Sequence, residues 1–215
     1  MELYNLAHSP YAARVRILVY ARDLSIQISE PPGGLGSATF RALTVTGKVP
    51  VLAHEGGYLS ESMAIIEYLE ALYPDGALTP TDPWQRAQQS AMIRYLDLYF
   101  AQVLFPLFQQ VRANPRDQQV VDAALEKLKA ELKTLQTWYQ QPELTPTDAV
   151  SLVDCAVIPV LFYVVSLAPL FGEADPLAVT PELVKRWAWA QQQPAVSRVV
   201  NEMGTALQAM MSPST

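Results

Sequence analysis

Cysteine is nearly missing from this chain of 215 residues. Cys155 stands alone, which excludes an internal disulfide and a cysteine-rich zinc site. Histidine is as scarce: His8 and His54 are too few for most metal centres, and no metal is expected. Charged residues make up only 17%, the net charge is −6, and no run of basic residues occurs. A chain without a basic stripe has no footprint for gripping a nucleic-acid backbone, so no nucleic-acid partner is expected. Internal repeats and low-complexity tracts are absent. Met1 opens directly into a strand pattern rather than a secretory leader, which predicts a cytoplasmic protein. What the chain does have is apolar surface. Half its residues are hydrophobic, enough for one large or two modest domains with a buried core.

One apolar stretch raises the question of a membrane: residues 155–172 carry no charge. Asp154 abuts it, Pro159 and Pro169 interrupt it, and Ser151-Leu152-Val153-Asp154 reads as a helix capping box. A core helix of an all-helical domain has the same composition. The buried reading is preferred, no membrane partner is expected, and Cys155 is then a buried, inert thiol.

Along the chain, residues 2–6 and 26–28 read as strands. Ser9-Pro10 starts a helix that continues through Val15, Leu18 and Val19, and residues 38–43 form a short helix. The stretch Thr46-Gly47-Lys48-Val49-Pro50-Val51-Leu52 then gives a turn and a strand. Gly56-Gly57 makes a hairpin, and a helix begins near residues 60–62. Pro50 removes a ladder donor where pairing should begin, which suggests an edge position or a cis bond. The order β-α-β-α-β-β-α is a small α/β domain over residues 1–75, and the turn-rich residues 76–83 read as a linker. Residues 84–211 read as helical throughout: a long helix with Pro106 as its kink, a seam of Val121, Leu125, Leu128, Leu132 and Leu135, the capped apolar helix, and two more helices around Pro194.

Three motifs in this order carry a resemblance. Gly47-Lys48-Val49-Pro50-Val51-Leu52, Glu61-Ser62-Met63-Ala64-Ile65 and Ser151-Leu152-Val153-Asp154-Cys155 resemble the glutathione S-transferase superfamily across essentially the whole chain. The resemblance implies an α/β thioredoxin-like N-terminal domain that binds glutathione, followed by an all-α C-terminal helical domain that lines the electrophile site. It implies a cis bond before Pro50 and strand-like pairing of the Val49 backbone with the cysteinyl part of glutathione. Glu61 and Ser62 would hold the γ-glutamyl end, and a carboxylate is at home on a helix N-terminus. Lys48 is either the partner of the glycyl carboxylate or a solvated turn charge.

Ser9 stands where serine-type members place the hydroxyl that stabilises the glutathione thiolate, and Arg14-Val15-Arg16-Ile17 follows it in similar fashion. A helix N-terminus favours a thiolate in the same direction. Two readings of Ser9 remain side by side, helix cap and thiolate donor. Tyr4 is a second candidate for the donor, though it falls inside the first strand. His8, Tyr11, Tyr95 and Tyr99 are candidates for the electrophile site, each with ordinary packing as its alternative. Ser9-Pro10-Tyr11-Ala12 holds no thiol, which argues against disulfide exchange.

Two departures bear on the glycyl end of glutathione. Val45-Thr46 stands where many relatives have Asn-Pro, and the loop over residues 31–36 is rich in glycine and proline. The resulting expectation is a serine-type glutathione transferase active in detoxification, a homodimer that conjugates glutathione, its cosubstrate, to small hydrophobic electrophiles. Two alternatives share the scaffold. One is an interaction protein similar to stringent starvation protein A, which binds bacterial RNA polymerase. Against it, Ser9 is present and Pro74-Asp75-Gly76-Ala77 replaces that group's Pro-His-Pro element. The other is a zeta-like glutathione-dependent isomerase, whose Ser-Ser-Cys turn is replaced here by Ser9-Pro10-Tyr11.

Overall fold

A computed structural model describes residues 1–144 and 146–212. The chain divides into two compact units, Met1–Thr79 together with the chain from Gln191 on, and Pro80–Ala190.

The first unit is built on a four-stranded sheet of β1 (Glu2–Tyr4), β2 (Gln27–Ser29), β3 (Val51–His54) and β4 (Gly57–Ser60), in the order β2-β1-β3-β4. β1 pairs parallel with β2 and antiparallel with β3, and β3 pairs antiparallel with β4. The parallel pair requires a crossover, which α1 (Pro10–Ala21) supplies. Every residue of α1 from Ala12 to Val19 is buried. A helix buried all round must be covered on several sides, and α1 packs against both α3 (Ser62–Leu72) and α9 (Pro194–Met211). The sequence pattern had grouped this last helix with the other C-terminal helices; its contact with α1 places it in the first unit instead.

One local expectation is corrected, and one pair of alternatives is decided. The hairpin loop is Glu55-Gly56 rather than Gly56-Gly57. His54 pairs with Gly57, and Glu55 and Gly56 have φ of 50° and 79°, the two positive values a type I′ turn needs. Pro50 is not at an edge, because β3 lies between β1 and β4. It precedes the strand through a cis Val49–Pro50 bond. The short helix α2 (Ala38–Leu43) is capped by Ser37, whose hydroxyl accepts from the Phe40 amide at 3.0 Å.

The second unit is helical, with α4 (Pro83–Tyr95), α5 (Ala101–Val111), α6 (Gln118–Tyr139), α7 (Leu152–Leu167) and α8 (Pro181–Ala190). The long helix expected from residue 84 breaks at a π-helical turn, Leu96–Phe100, while Pro106 lies inside α5. Along α6 the buried stripe is Val121, Ala124, Leu128, Leu132 and Leu135. Leu125 is only half-buried, so the face has globular-helix rather than coiled-coil spacing. Two stretches, Pro83–Val111 and Leu152–Phe171, are long and apolar enough by composition to cross a membrane. In α7 every residue from Leu152 to Val164 is buried within the unit, which is how a core helix passes that test. Cys155 is among them and fully buried.

The Ser151–Asp154 capping box forms as the sequence suggested. The Ser151 amide and hydroxyl donate to Asp154 Oδ2 at 2.8 and 2.6 Å, and Ser151 Oγ accepts from the Asp154 amide at 3.3 Å. The same carboxylate receives Arg186 of α8. Nε donates to Oδ1 at 2.6 Å, and Nη2 pairs with Oδ2.

Candidate functional site

Sheet register assembles the site. Tyr4 pairs with Val51 and Val51 with Ser60, so the C-terminal ends of β1 and β4 and the start of β3 lie side by side. The chain leaving β1 reaches Ser9 within five residues. The chain entering β3 brings Lys48, Val49 and Pro50, and the chain leaving β4 continues into Glu61 and Ser62. Three segments far apart in sequence therefore meet at one end of the sheet, all within the first unit.

Ser9 is the N-cap of α1. Its Oγ accepts from the Ala12 amide at 3.2 Å, and its own amide donates to the Leu6 carbonyl at 2.9 Å, closing the turn. A hydroxyl has one donor and two acceptor positions, so capping by Oγ leaves the proton to donate elsewhere. Cap and anion donor are compatible roles of one oxygen. Pro10, at the first helical position, has no amide of its own to satisfy.

The turn before β3 is built from hydroxyls. Thr44 Oγ1 accepts from the Gly47 amide at 2.9 Å and donates to the Phe40 carbonyl at 3.2 Å, and Thr46 Oγ1 accepts from the Lys48 amide at 3.3 Å. These threonine contacts hold the turn where Asn-Pro was expected from relatives. Gly47 is required there: φ is 65°, and a Cβ would stand 3.2 Å from Arg41 Cγ. Lys48 is exposed, Val49 half-buried and Pro50 buried.

Glu61 occupies the N-cap of α3 with φ 72° and ψ 117°, and its side chain makes no capping bond. A glutamate at positive φ is strained by about 1–3 kcal/mol, which marks the position as one held by its surroundings. Its carboxylate is exposed, while Ser62 at the first helical position is buried. An α-helix of eleven residues that its own N-cap side chain leaves uncapped presents first-turn amides suited to a carboxylate.

The remaining candidates separate. His8 is half-buried beside Ser9. Burial first, and the Arg16 charge second, push its pKa below the ordinary 6.5, so the ring is neutral at pH 7. Tyr11 lies in the first turn of α1 with the Arg14 guanidinium 4.8 Å from its ring centroid. Tyr4 packs edge-on to Phe40, and burial, then Glu2, push its phenol up. Tyr95 and Tyr99 belong to the second unit. The Tyr95 hydroxyl donates to Glu131 of α6, and burial together with that carboxylate raises its pKa strongly. Tyr95 also stacks on Tyr99 at 6.0 Å and meets Trp138. The Tyr95 phenol is thus engaged in packing within its own unit, while the Tyr99 ring stays largely exposed. Among the described residues no group of three or more His, Cys, Asp or Glu side chains is placed to hold a metal.

Arg16 was named in the sequence only as part of the motif Arg14-Val15-Arg16-Ile17, and Glu202 was not named at all. Arg16 is buried in α1, donates to the Ala7 carbonyl at 2.6 Å and pairs with Glu202 of α9. The available signal was a pair of arginines, Arg14 and Arg16, inside a largely apolar helix; the partner of Arg16, 186 residues away, had none.

Comparison with known proteins agrees with this geometry. The model of the glutathione S-transferase N-terminal domain matches residues 3–80, and that of the glutathione S-transferase C-terminal domain matches residues 95–189. The chain belongs to the glutathione S-transferase superfamily. It is 26% identical over 204 residues to a probable glutathione S-transferase of Oryza sativa subsp. japonica, covering 89% of this chain and 83% of that protein. It is 24% identical over 185 residues to a stringent starvation protein A homolog of Haemophilus ducreyi, covering 86% and 84%. Among solved structures, a glutathione S-transferase of Methylobacterium radiotolerans in complex with glutathione sulfonate superposes with a TM-score of 0.74. Its identity is 25%, with 93% of each chain covered.

Proposed function

We propose that this protein is a serine-type glutathione transferase that joins the glutathione sulfur to small hydrophobic electrophiles. The observation that carries the reading is the convergence of Ser9, the cis Val49–Pro50 turn and the Glu61-Ser62 helix start at one end of one sheet. In this reading the Val49 backbone pairs with the cysteinyl residue of glutathione. Ser62 and the first amides of α3 receive the γ-glutamyl carboxylate, Glu61 meets its ammonium, and Lys48 faces the glycyl carboxylate. The glutathione thiol loses its proton to solvent. The Ser9 hydroxyl donates to the resulting thiolate, and the N-terminal end of α1 favours the same charge. The sulfur lone pair then forms the carbon–sulfur bond, and the displaced pair leaves with the leaving group. No proton-abstracting side chain is needed, because the site acts by stabilising the anion. Cytoplasmic detoxification by a homodimer completes the proposal.

The test is retention on immobilised glutathione together with conjugation assays on several electrophiles, for the wild-type protein and Ser9→Ala. A hydrogen bond to a charged acceptor contributes about 1.5–3 kcal/mol. Ser9→Ala should therefore slow conjugation roughly 10- to 100-fold while retention on the column persists. Unchanged rates would reduce Ser9 to a helix cap. Neither retention nor conjugation by the wild type would favour the second reading, an interaction protein, which the likeness to the Haemophilus ducreyi homolog supports.

A further inference from the structure

The first unit contains a charged cluster, at the contact between α1 and α9, that the proposed chemistry does not use. Arg16 has 1% of its side chain exposed, and it sits between Val15 and Ile17 in the buried middle of α1. Its Nη1 pairs with Glu202 Oε2 and its Nη2 donates to the Ala7 carbonyl at 2.6 Å. The other oxygen of Glu202 accepts from the Tyr20 hydroxyl at 3.2 Å and from Arg198 Nε at 3.1 Å. The Arg198 guanidinium lies over the Tyr20 ring, 3.9 Å from its centroid. Ala7 precedes Ser9 by two residues, and the Ser9 amide closes the intervening turn onto Leu6.

We infer that Glu202 of the C-terminal helix is a positioning residue for Ser9, acting through Arg16 and the Ala7 carbonyl. The inference rests on the proposed role of Ser9. A guanidinium this deeply buried needs a counter-charge, and Glu202 supplies it. With the charge balanced, the planar fork of Arg16 holds a carboxylate on one side and a backbone carbonyl on the other, a span an ammonium does not reproduce. Without Glu202 the guanidinium turns toward water. An open groove of about 780 Å³, which both Ala7 and Glu202 line, lets water in at that place. The Ala7 carbonyl then loses its donor, and the turn that orients the Ser9 hydroxyl loosens. Hydrogen bonds weaken steeply with angle, so a small displacement of Ser9 matters to the thiolate.

The sign of the effect separates this role from simple electrostatics. Removing a negative charge near a developing thiolate favours the anion and raises the rate at low pH. Loosening the loop lowers it. The experiment compares wild type with Glu202→Gln and Arg16→Lys, and uses Glu126→Gln, an exposed carboxylate of α6, as the charge control. Amide hydrogen exchange at Ser9 is read first, without glutathione. Both test variants are expected to exchange the Ser9 amide at least about tenfold faster while the β3 and α3 amides keep their protection. Conjugation kinetics follow. For both variants kcat should fall on the order of tenfold or more, with KM for glutathione changed less than about twofold. Glu126→Gln should match wild type in both readouts. Unchanged exchange at Ser9, a rate increase in Glu202→Gln, or a wild-type kcat in Arg16→Lys would each overturn the inference. If exchange rises as expected but wild type conjugates nothing, the positioning of the turn stands and the transferase reading fails.

Discussion

Asp154→Ala removes a carboxylate that does two jobs at once, and its cost can be worked from the contacts. Asp154 is fully buried at the third position of α7 and closes the capping box with Ser151. Losing that cap costs about 1 kcal/mol. The larger effect is on Arg186, which is 4% exposed. Its Nη1 donates to the Thr147 carbonyl at 2.7 Å and its Nη2 to that of Ala149 at 3.3 Å, but the carboxylate that balances its charge is Asp154. Breaking a buried pair by deleting one partner costs about 3–5 kcal/mol, because the remaining charge stays desolvated and uncompensated. The sum, about 4–6 kcal/mol, is a large share of the 5–15 kcal/mol that typically stabilises a domain. Equilibrium unfolding in urea, followed by tryptophan fluorescence, is the assay. All four tryptophans, Trp84, Trp138, Trp187 and Trp189, lie in the second unit, so the signal reports the unit that contains α7. With a slope of about 2 kcal/mol/M, the midpoint should drop by roughly 2 M or more. Arg186→Met in the Asp154→Ala background should recover much of the loss, since an apolar pair of similar volume replaces a buried ion pair at little cost. A single-variant loss below about 1 kcal/mol, or no recovery in the double variant, would refute this account of the pair.

Two further predictions concern the candidate site. Glu61→Gly should stabilise the first unit by about 1 kcal/mol, because glycine accepts a φ of 72° without strain. The same variant should lose glutathione affinity, so a rise in thermal midpoint together with weaker retention on immobilised glutathione is expected; a fall in both would show the position to be structural only. His8 predicts a pH dependence. Its pKa is lowered on folding, so below the ordinary 6.5 the unfolded chain takes up a proton that the folded chain resists. Stability should fall as pH drops from 6.5 through the lower folded value, and His8→Gln should flatten that part of the profile. A profile the substitution does not change would remove His8 as its source.

Local devices were legible in the sequence because their partners are only a few residues apart. The Ser151–Asp154 box, the Ser9 and Ser37 caps and the apolar course of α7 all involve contacts within one or a few helical turns. Where a local signal was ambiguous it went astray. Gly56-Gly57 offered two positions of easy positive φ, but strand register chose Glu55-Gly56. Pro106 offered a kink, while the break falls earlier in the chain, at Leu96–Phe100. Pairing with β1 and β4, which fixes β3 as a central strand, excluded the edge alternative for Pro50.

By itself the sequence determined the superfamily and the order of strands and helices, and it named the residues proposed here to hold glutathione. Those depend on hydrophobic period, capping and turn chemistry, all short-range along the chain. Only the tertiary structure decided that Tyr4, Val51 and Ser60 align, and so bring Ser9 to the same end of the sheet as Glu61. It alone engaged the Tyr95 hydroxyl with Glu131, placed α9 against α1, and found the counter-charges for two buried arginines. A buried guanidinium requires a carboxylate, but nothing in the local sequence says which one; Arg186 takes its own from 32 residues away and Arg16 from 186.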